Sequence, residues 1–428
     1  MDKPLLDRKL LSIEESAVTF NNWSKNVRSP STEVEVVEII RSAYEKGQHV
    51  SLVSGGTKLG YGGVKSEYDL TLSLKDLKGI VEHTVGDMTV TVKPGTTMKE
   101  LQDYLQNHNQ MVALDPSWPE QATIGGIVAS NDSGPKRLKY GSARDHVIGM
   151  RVVYPDGKVI RTGGKVVKNV AGYDMNKLLV GSMGTLGIIT EITLKLRPVP
   201  KSENLIRLSV REEALDELKG YTKQIQDSML EPVSLELVTP SLSQRLFHDE
   251  GYSLLIAFED VEKSVDFQTN WVEQHKPAGV NYTTISNVKE FWNAFSEIHP
   301  NSLTDSKATQ ALLKVGTKNL DVFSILSECA RIHHEGKVTI EAHGGAGHGL
   351  STVFLEGDDA AIVNTINHLQ HYAHTLKGYG VVKHLPFSLR QSVNVWGDEP
   401  SYFKIFEGIK HKHDPKNTLN EKRYIGGI

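Results

Sequence analysis

The chain has only one cysteine, Cys329, among its 428 residues. A single thiol excludes an internal disulfide, and it excludes a metal cluster held by thiolates of this chain alone, because such clusters need several cysteines. The lack of disulfides is typical of a reducing compartment. We therefore expect a cytoplasmic protein, with any membrane association peripheral and on the inner face of the cell membrane.

Long apolar runs and an excess of basic residues are absent as well. No stretch approaches the roughly 20 apolar residues of a membrane-spanning helix, and the charges spread through residues 1–16 do not suit a signal peptide. The formal charge of -4 gives no electrostatic basis for binding nucleic acid. With 39% hydrophobic and 23% charged residues, the composition is typical of a globular protein of two or three domains.

Glycine is concentrated in residues 51–63, SLVSGGTKLGYGG, where a short apolar strand is predicted to enter a loop with five glycines. Glycine is needed where the backbone takes a positive φ or approaches a ligand closely, and successive N–H groups in such a turn bind anions. The loop matches neither the P-loop nor the Rossmann fingerprint. A phosphate or pyrophosphate site and a plain glycine-rich hairpin therefore stand as alternatives.

The segments around this loop alternate between helical and strand patterns. Apolar residues at helical spacing predict a helix that begins after Ser31 or Thr32 and ends at Gly47, and a second helix is predicted over residues 98–107. Short alternating segments between them predict strands. Residues 115–149 are rich in small residues and irregular, which indicates a functional segment. A helix around residues 174–180 leads into a glycine-containing turn and a β-branched strand.

The character of the sequence changes near Pro198 and Pro200. Beyond them, strand-like segments alternate with charged amphipathic helices, which favours an α+β layer with helices packed on an antiparallel sheet. We divide the chain into a leader or accessory segment (1–25), a first domain (26–200), a second domain (201–380) and a C-terminal segment (381–428).

Four segments resemble, in their order, the FAD-linked oxidases of the vanillyl-alcohol oxidase type: SGGTKLGYGG, DPSWPEQATIGGIVASNDSG, VKNVAGYDMNKLLVGSMGTLGIITEITLKLRP and DPKNTLNEKRYIGGI. Within that family, the FAD-binding subunits of glycolate oxidases, relatives of D-lactate and D-2-hydroxyglutarate dehydrogenases, are the most similar. The resemblance implies a two-lobed, PCMH-type FAD-binding domain over residues 26–200 and an antiparallel-sheet cap domain over residues 201–380. It also implies that residues 381–428 return to the FAD-binding domain.

The resemblance implies which residues hold FAD. In the family, the backbone of the first glycine loop binds the pyrophosphate, the second segment wraps the flavin and ribityl chain, and the third meets the adenine. Carried onto this sequence, the FAD-binding residues are Val53, Ser54, Gly55, Gly56, Thr57, Lys58, Tyr61, Gly62, Pro116, Ala122, Thr123, Gly125, Gly126, Ser130, Asn131, Gly134, Tyr140, Gly141, Ile188 and Ile189. Tight strand packing is the alternative for the paired glycines of the second segment. Relatives with covalent flavin often have histidine at the position of Thr57, so we predict noncovalent FAD.

The family's hydroxyacid dehydrogenases carry a cap motif close to HxGDGNxH, whose histidines bind a divalent metal. The matching stretch keeps His343, but Ala346, His348 and Leu350 stand at the Asp, Asn and second His positions. A hard metal site that lacks a ligand is poor. We therefore predict no metal site, and a glycine-rich turn with polar histidines beside the flavin is the alternative to a catalytic role.

A second departure lies near the C-terminus, where relatives use a His-Gly pair with a preceding acid as proton acceptor. The local match is Lys383, His384 and Leu385. Oxidation of a 2-hydroxy acid needs a base for the hydroxyl proton and a cation for the carboxylate. The catalytic candidates are His343, His348, His384 and Arg390, with Lys383 as a further one. A structural loop is the alternative for Arg390.

The resemblance implies three candidate functions. The first is the flavoprotein subunit of a glycolate (2-hydroxyacid) oxidase, in which hydride passes from the substrate Cα to FAD and electrons pass to a partner flavoprotein and an iron-sulfur subunit. The cluster would lie on the partner because this chain has too few cysteines. The second is a stand-alone dehydrogenase of D-lactate or a related acid. The third is a non-catalytic, FAD-carrying electron-relay subunit.

Overall fold

The computed structural model describes residues 9–164 and 173–428. Part of the third motif, residues 165–172, therefore lies outside the described residues. Within the described chain, strands before residue 200 form a three-stranded sheet, a five-stranded sheet and a two-stranded pair, and later strands form one eight-stranded sheet.

The first part of the chain contains mostly short elements. Its strands are β1 (Val27–Arg28), β2 (Val50–Val53), β3 (Leu70–Ser73), β4 (Ile80–Thr84), β5 (Thr89–Val92), β6 (Gln110–Met111), β7 (Val147–Val153), β8 (Val159–Gly163), β9 (Ile188–Lys195) and β10 (Arg197–Pro198). Its helices are α1 (Ile13–Phe20), α2 (Glu33–Glu45), α3 (Met98–Gln106), α4 (Ile124–Ser130), α5 (Arg137–Tyr140), α6 (Ala143–His146) and α7 (Asn176–Leu179).

Local sequence signals fix the starts of the longer helices. In α2, the Thr32 hydroxyl accepts a hydrogen bond from the Glu35 N–H, and the Glu35 carboxylate accepts one from the Thr32 N–H. This reciprocal capping box satisfies N–H groups that a helix start leaves unpaired. α2 buries Val36, Ile40 and Ala43. The helix predicted to begin after Ser31 or Thr32 is thus confirmed, with Thr32 as its cap.

The first part has two lobes of different sheet type. β1, β3 and β2 pair in parallel, whereas β4, β5, β9, β7 and β8 form an antiparallel sheet in that order. The segment predicted to be irregular, residues 115–149, contains α4, α5 and α6. The prediction of an irregular segment was wrong there because α4 buries Ile124, Ile127 and Val128. This tertiary packing stabilises a helix despite its two glycines.

The second part contains longer elements. Its strands are β11 (Ser202–Val210), β12 (Ser234–Val238), β13 (Tyr252–Asp260), β14 (Asn281–Thr284), β15 (Thr309–Gly316), β16 (Val338–Gly345), β17 (Leu350–Gly357) and β18 (Tyr379–His384). Its helices are α8 (Leu215–Gln226), α9 (Pro240–Phe247), α10 (Glu262–His275), α11 (Val288–Ser296), α12 (Val322–His334), α13 (Asp359–Thr375), α14 (Phe387–Arg390) and α15 (Phe403–His413). The sheet order is β14-β11-β13-β12-β16-β17-β15-β18, with antiparallel neighbours throughout, which confirms the predicted α+β class with an antiparallel sheet.

Both faces of the eight-stranded sheet are buried. Neighbouring residues of a strand point to opposite faces. Ile206 of β11 belongs to a core cluster with residues of α8, α10, α12 and α13, whereas Leu205 belongs to another cluster with residues of α9 and α11. Ala113 and Tyr140 of the first part join the second cluster. The face that carries α9 and α11 therefore meets the first part of the chain.

The C-terminal tail completes the parallel sheet. The Val50 N–H donates to the Thr418 carbonyl at 2.7 Å, and the Asn420 N–H donates to the Val50 carbonyl at 2.9 Å. Buried Lys410 and Asp414 form an ion pair at 2.7 Å just before this contact. The tail consequently lies beside the loop that follows β2. Among the described residues, no helix is long and apolar enough to cross a bilayer.

Candidate functional site

The glycine loop, residues 54–63, follows β2 directly. At Gly55 a Cβ would lie 2.0 Å from the Gln121 carbonyl oxygen, and Gly56 has a φ of +75°, so both positions require glycine. Among the described residues, the backbone N–H groups of residues 55–58 donate to no other group. The buried Ser54 hydroxyl also has no hydrogen-bond partner in the described part of the chain. These donors suit an anion such as a diphosphate.

α4 lies opposite the glycine loop. Its cap Thr123 accepts a hydrogen bond from the Gly126 N–H at 3.3 Å. A Cβ on Gly125 would lie 2.5 Å from the Pro94 Cβ, whereas the one described atom within 4 Å of a Cβ on Gly126 is the Thr123 hydroxyl oxygen, at 3.3 Å. Packing therefore requires Gly125, while Gly126 keeps space open between the helix and the loop.

The space between the loop and α4, here named the loop cavity, has a volume of about 90 Å³. Two predicted sets of FAD-binding residues meet there. The predicted residues in its wall are Val53, Ser54, Gly55, Gly56, Thr57, Lys58, Thr123, Gly126 and Ser130. Sequence reasoning missed five further wall residues with a polar or bulky side chain: Leu52, Leu59, Met183, Asn420 and Arg423.

A larger space of about 570 Å³, here named the interdomain cavity, lies between the first part and the eight-stranded-sheet part. Trp118 ties the two parts together at its wall, because its indole N–H donates to the His299 carbonyl at 2.9 Å. Its walls include two predicted FAD-binding residues, Pro116 and Gly134, besides Thr57 and Lys58. A space of this size accommodates an organic cofactor ring together with a small substrate.

A third space of about 40 Å³, here named the polar cavity, adjoins it and shares His343, Thr352 and Lys383. Tyr61 and Asn131 line it. The other predicted FAD-binding residues do not appear in the walls of these three described cavities. They are Gly62, Ala122, Gly125, Tyr140, Gly141, Ile188 and Ile189. Tyr140 instead donates to Glu259 at 2.6 Å, and Ile188 packs in the core of the first lobe.

Asp132 lines both the interdomain and the polar cavity and forms ion pairs with two lysines. Its carboxylate lies 2.9 Å from Lys383 Nζ and 3.3 Å from Lys58 Nζ. Burial alone would raise the pKa of Asp132, but Lys383 and Lys58 outweigh burial and lower it. Lys58, Lys383 and Asp132 together therefore carry a net charge of one positive unit. Lys58 places this charge beside the loop cavity, and both lysines place it beside the interdomain cavity. Burial, together with Lys383, lowers the pKa of the neighbouring Lys314 to about 8.

His343 lies on β16 and lines both the interdomain and the polar cavity. Its Nδ1 is 2.5 Å from the carboxylate of buried Glu236, which fixes the orientation of the ring. The ring stacks on His299 with centroids 5.3 Å apart and meets the edge of Phe295 at 4.9 Å. Nε2 is therefore the ring nitrogen that a ligand can engage.

The remaining catalytic candidates occupy different surroundings. His348 lines the polar cavity, and its Nδ1 accepts from the Leu350 N–H at 3.2 Å. Burial lowers the pKa of His348. His384 lines the interdomain cavity and is buried against Phe20, and burial, helped by Arg390, lowers the pKa of His384 to about 3. Both histidines are therefore neutral near pH 7.

Arg390 does not line any of the three cavities. Its guanidinium is buried and donates to the carbonyls of Leu59, Gly62 and Phe20. It therefore holds the glycine loop against α1, and we give it no role in substrate chemistry. Within the described residues, no group of three or more His, Cys, Asp or Glu side chains is arranged to hold a metal ion.

Comparison with known proteins identifies the domain that carries the glycine loop. A family model for an FAD binding domain matches residues 24–163. This chain carries an FAD-binding domain. The donors at residues 55–58 and the open position at Gly126 fit the cofactor, and both predicted halves of the FAD site face the loop cavity.

Curated relatives extend the similarity beyond this domain. Glycolate oxidase subunit GlcD of Bacillus subtilis is 36% identical over 54% of this chain and 48% of its own length. Glycolate oxidase subunit GlcE of Escherichia coli is 38% identical over 36% of this chain and 45% of its own. A mitochondrial D-lactate dehydrogenase (cytochrome) of Arabidopsis thaliana is 30% identical over 72% of this chain and 58% of its own. The chain spans about half the length of these relatives.

Solved structures share the whole architecture. Substrate-bound p-cresol methylhydroxylase has a TM-score of 0.74 with 16% identity, covering 98% of this chain and 94% of its own. At this identity, the likeness shows the fold. The fold is that of PCMH-type flavoproteins, in agreement with the architecture implied by the sequence.

Proposed function

We propose that this FAD-containing chain oxidises a small 2-hydroxy acid as the flavoprotein subunit of a glycolate-oxidase-type assembly. One observation carries the proposal: the Glu236–His343 pair and Lys383 converge on one cavity beside the FAD-binding loop. The glycolate oxidase subunits among the relatives support the substrate class.

FAD would lie against the glycine loop and α4, and when bound it supplies the hydride acceptor. The chain's own residues then have separate tasks. Lys383, with Lys58 and Asp132, provides the positive charge that binds the substrate carboxylate. His343 Nε2 accepts the proton of the substrate hydroxyl, and Glu236 keeps the ring oriented and stabilises the imidazolium that forms.

FAD in this proposal is noncovalent. Thr57, which lines both the loop and the interdomain cavity, offers no imidazole for a covalent bond. Acid precipitation should therefore release the flavin into the supernatant. Onward electron transfer would use a partner flavoprotein and an iron-sulfur subunit. The iron-sulfur cluster would lie on that subunit, because the one cysteine of this chain, Cys329, is buried and cannot hold a cluster by itself.

The main alternative is a stand-alone dehydrogenase of D-lactate, which the D-lactate dehydrogenase relative favours. A subunit needs its partner for steady-state turnover, whereas a stand-alone enzyme does not. Steady-state activity of the purified chain with an artificial acceptor, highest on D-lactate, supports the alternative. A requirement for a cysteine-rich partner supports the assembly.

Flavin absorbance tests the site directly. Anaerobic mixing with glycolate, D-lactate or L-lactate should bleach the flavin band, and His343→Asn should slow bleaching by about 100-fold, the scale of a lost general base. The matched control is His368→Asn, because His368 is also paired with a glutamate, Glu328 at 2.6 Å, but lies on the surface. A flavin that none of these acids bleaches contradicts the substrate class, and equal rates in both variants contradict the role of His343.

A further inference from the structure

Arg423 reaches the loop cavity from the C-terminal tail. It is 6% exposed. Its Nη2 donates to the Lys58 carbonyl at 2.9 Å and its Nε to the Tyr61 carbonyl at 3.4 Å. Its Nη1 is buried and has no hydrogen-bond partner among the described residues, although Arg423 lies in the wall of the loop cavity.

The charge of Arg423 lacks a carboxylate partner in the described chain. The nearby acid Glu421 is taken by Lys65, at 2.5 Å, and by His49, at 3.1 Å. Burial lowers the pKa of Arg423, and the Arg423 charge contributes to lowering that of Arg390 behind the same loop. A buried cation without a countercharge is costly unless an anion binds to it.

The unpartnered Nη1 belongs to a side chain in the same cavity wall as the free N–H groups of residues 55–58 and the Ser54 hydroxyl. We propose that Arg423 binds the FAD diphosphate, so that the docked C-terminal tail supplies the cationic half of a site whose other half is the glycine loop. The proposal depends on the FAD-binding domain and is independent of the substrate proposed above.

The tail is held rigidly enough for this task. The Asn420 side chain accepts from the Leu52 N–H at 2.8 Å and donates to the Met183 carbonyl at 2.7 Å. The Lys410 ammonium donates to the carbonyls of Thr185 and Leu419 at 2.9 and 3.0 Å. These bonds fix the tail on both sides of the loop cavity, immediately before Arg423.

Arg390 provides a matched control. Both arginines are buried and donate to carbonyls of the glycine loop, but Arg390 does not line the loop cavity. If Arg423 only braces the loop, the two arginines should behave alike. If Arg423 binds the diphosphate, replacing Arg423 should weaken the binding of ligands that contain a diphosphate more than the binding of ligands that lack one. Replacing Arg390 should not change this ratio of affinities.

The experiment uses the full-length protein freed of flavin, titrated with FAD and with riboflavin, which lacks the diphosphate. Arg423→Gln should raise the Kd of FAD by about 10- to 100-fold, the range for a lost charge-assisted hydrogen bond, and change that of riboflavin less than about threefold. Arg423→Lys, which keeps the charge, should fall between Arg423→Gln and wild type. Arg390→Gln should lower the thermal midpoint while leaving the FAD-to-riboflavin affinity ratio unchanged.

Inorganic pyrophosphate gives a second readout if Arg423→Gln fails to fold. It should compete with FAD for the wild-type protein and compete about 10-fold less well for Arg423→Lys, whose single-point ammonium replaces a two-pronged donor. An unchanged FAD affinity in the folded Arg423 variants would overturn the proposal. Equal losses of FAD and riboflavin, or equal competition by pyrophosphate in wild type and Arg423→Lys, would reduce Arg423 to a structural brace and overturn it too.

Discussion

Replacing Asp132 with asparagine should destabilise the protein severely, because this one carboxylate separates two ammonium groups. The side chains of Asp132, Lys58 and Lys383 are 4%, 18% and 15% exposed, so water screens the charges poorly. At an effective dielectric constant of about 20, each contact near 3 Å has a gross Coulomb energy of about 5 kcal/mol. Desolvation offsets much of this, and breaking a buried pair usually costs about 3–5 kcal/mol. Since both lysines retain some contact with water, we expect a loss of about 3 kcal/mol.

Urea unfolding at pH 7 with a fixed excess of FAD measures this loss, followed by tryptophan and flavin fluorescence to test for a single transition. Because the pKa of Asp132 is lowered in the fold, its contribution is complete above the unfolded carboxyl pKa of about 3.9 and is lost as the pH falls through the lower folded value. Asp103→Asn is the control. Its partner Lys99 lies 2.5 Å away, but both side chains are about half exposed, so we expect less than about 0.5 kcal/mol.

A double variant separates charge repulsion from lost packing. Adding Lys383→Met to Asp132→Asn removes one of the two unpaired ammonium groups and should recover part of the lost stability. A loss below about 1 kcal/mol in the single variant, or no recovery in the double variant, would refute the electrostatic reasoning about this site.

Two other predictions follow from the cavity walls. Gly126→Leu should raise the Kd of FAD by more than about 100-fold while the protein stays folded, because Gly126 lies in the wall of the loop cavity and a leucine there would extend into the space for FAD. A circular-dichroism melt is the control, and unchanged FAD affinity would contradict the assignment. His384 binds its proton more readily in the unfolded chain, since its folded pKa is about 3. Stability should therefore fall as the pH drops from about 6.5 towards 3, by up to about 1.4 kcal/mol per pH unit, and His384→Phe should flatten this slope.

Features that depend on neighbours in sequence were predictable. The capping signal at Thr32 and Glu35 and the glycine loop after β2 can both be read from a few adjacent residues. The reason for glycine at position 55 could not be predicted in full from the sequence, because the carbonyl oxygen that excludes a side chain there belongs to Gln121. The local pattern indicated a special backbone, and tertiary structure supplied its cause.

The electrostatics of the site were not predictable in the same way. Asp132 and Lys383 are 251 residues apart in sequence, and Glu236 and His343 are 107 apart. No periodicity links such residues, so sequence reasoning missed Asp132 and Glu236. Arg390 illustrates the converse: a cation near the end of the chain suits a carboxylate anchor, but folding directs it to the carbonyls of the glycine loop.

The residues at which this chain departs from the family's motifs lie together in the fold. His343, Leu350 and Lys383 lie on three strands of the eight-stranded sheet, and all three residues line the polar cavity. A lysine therefore stands where the resemblance implies an acid, and a leucine stands where it implies a histidine. Losing a metal ligand alone would leave the site without a cation, but the Lys383 ammonium restores positive charge at the same place, and Asp132 stabilises it at 2.9 Å. These differences favour the proposed binding of the substrate carboxylate by Lys383 over the alternative of a subunit without a catalytic role.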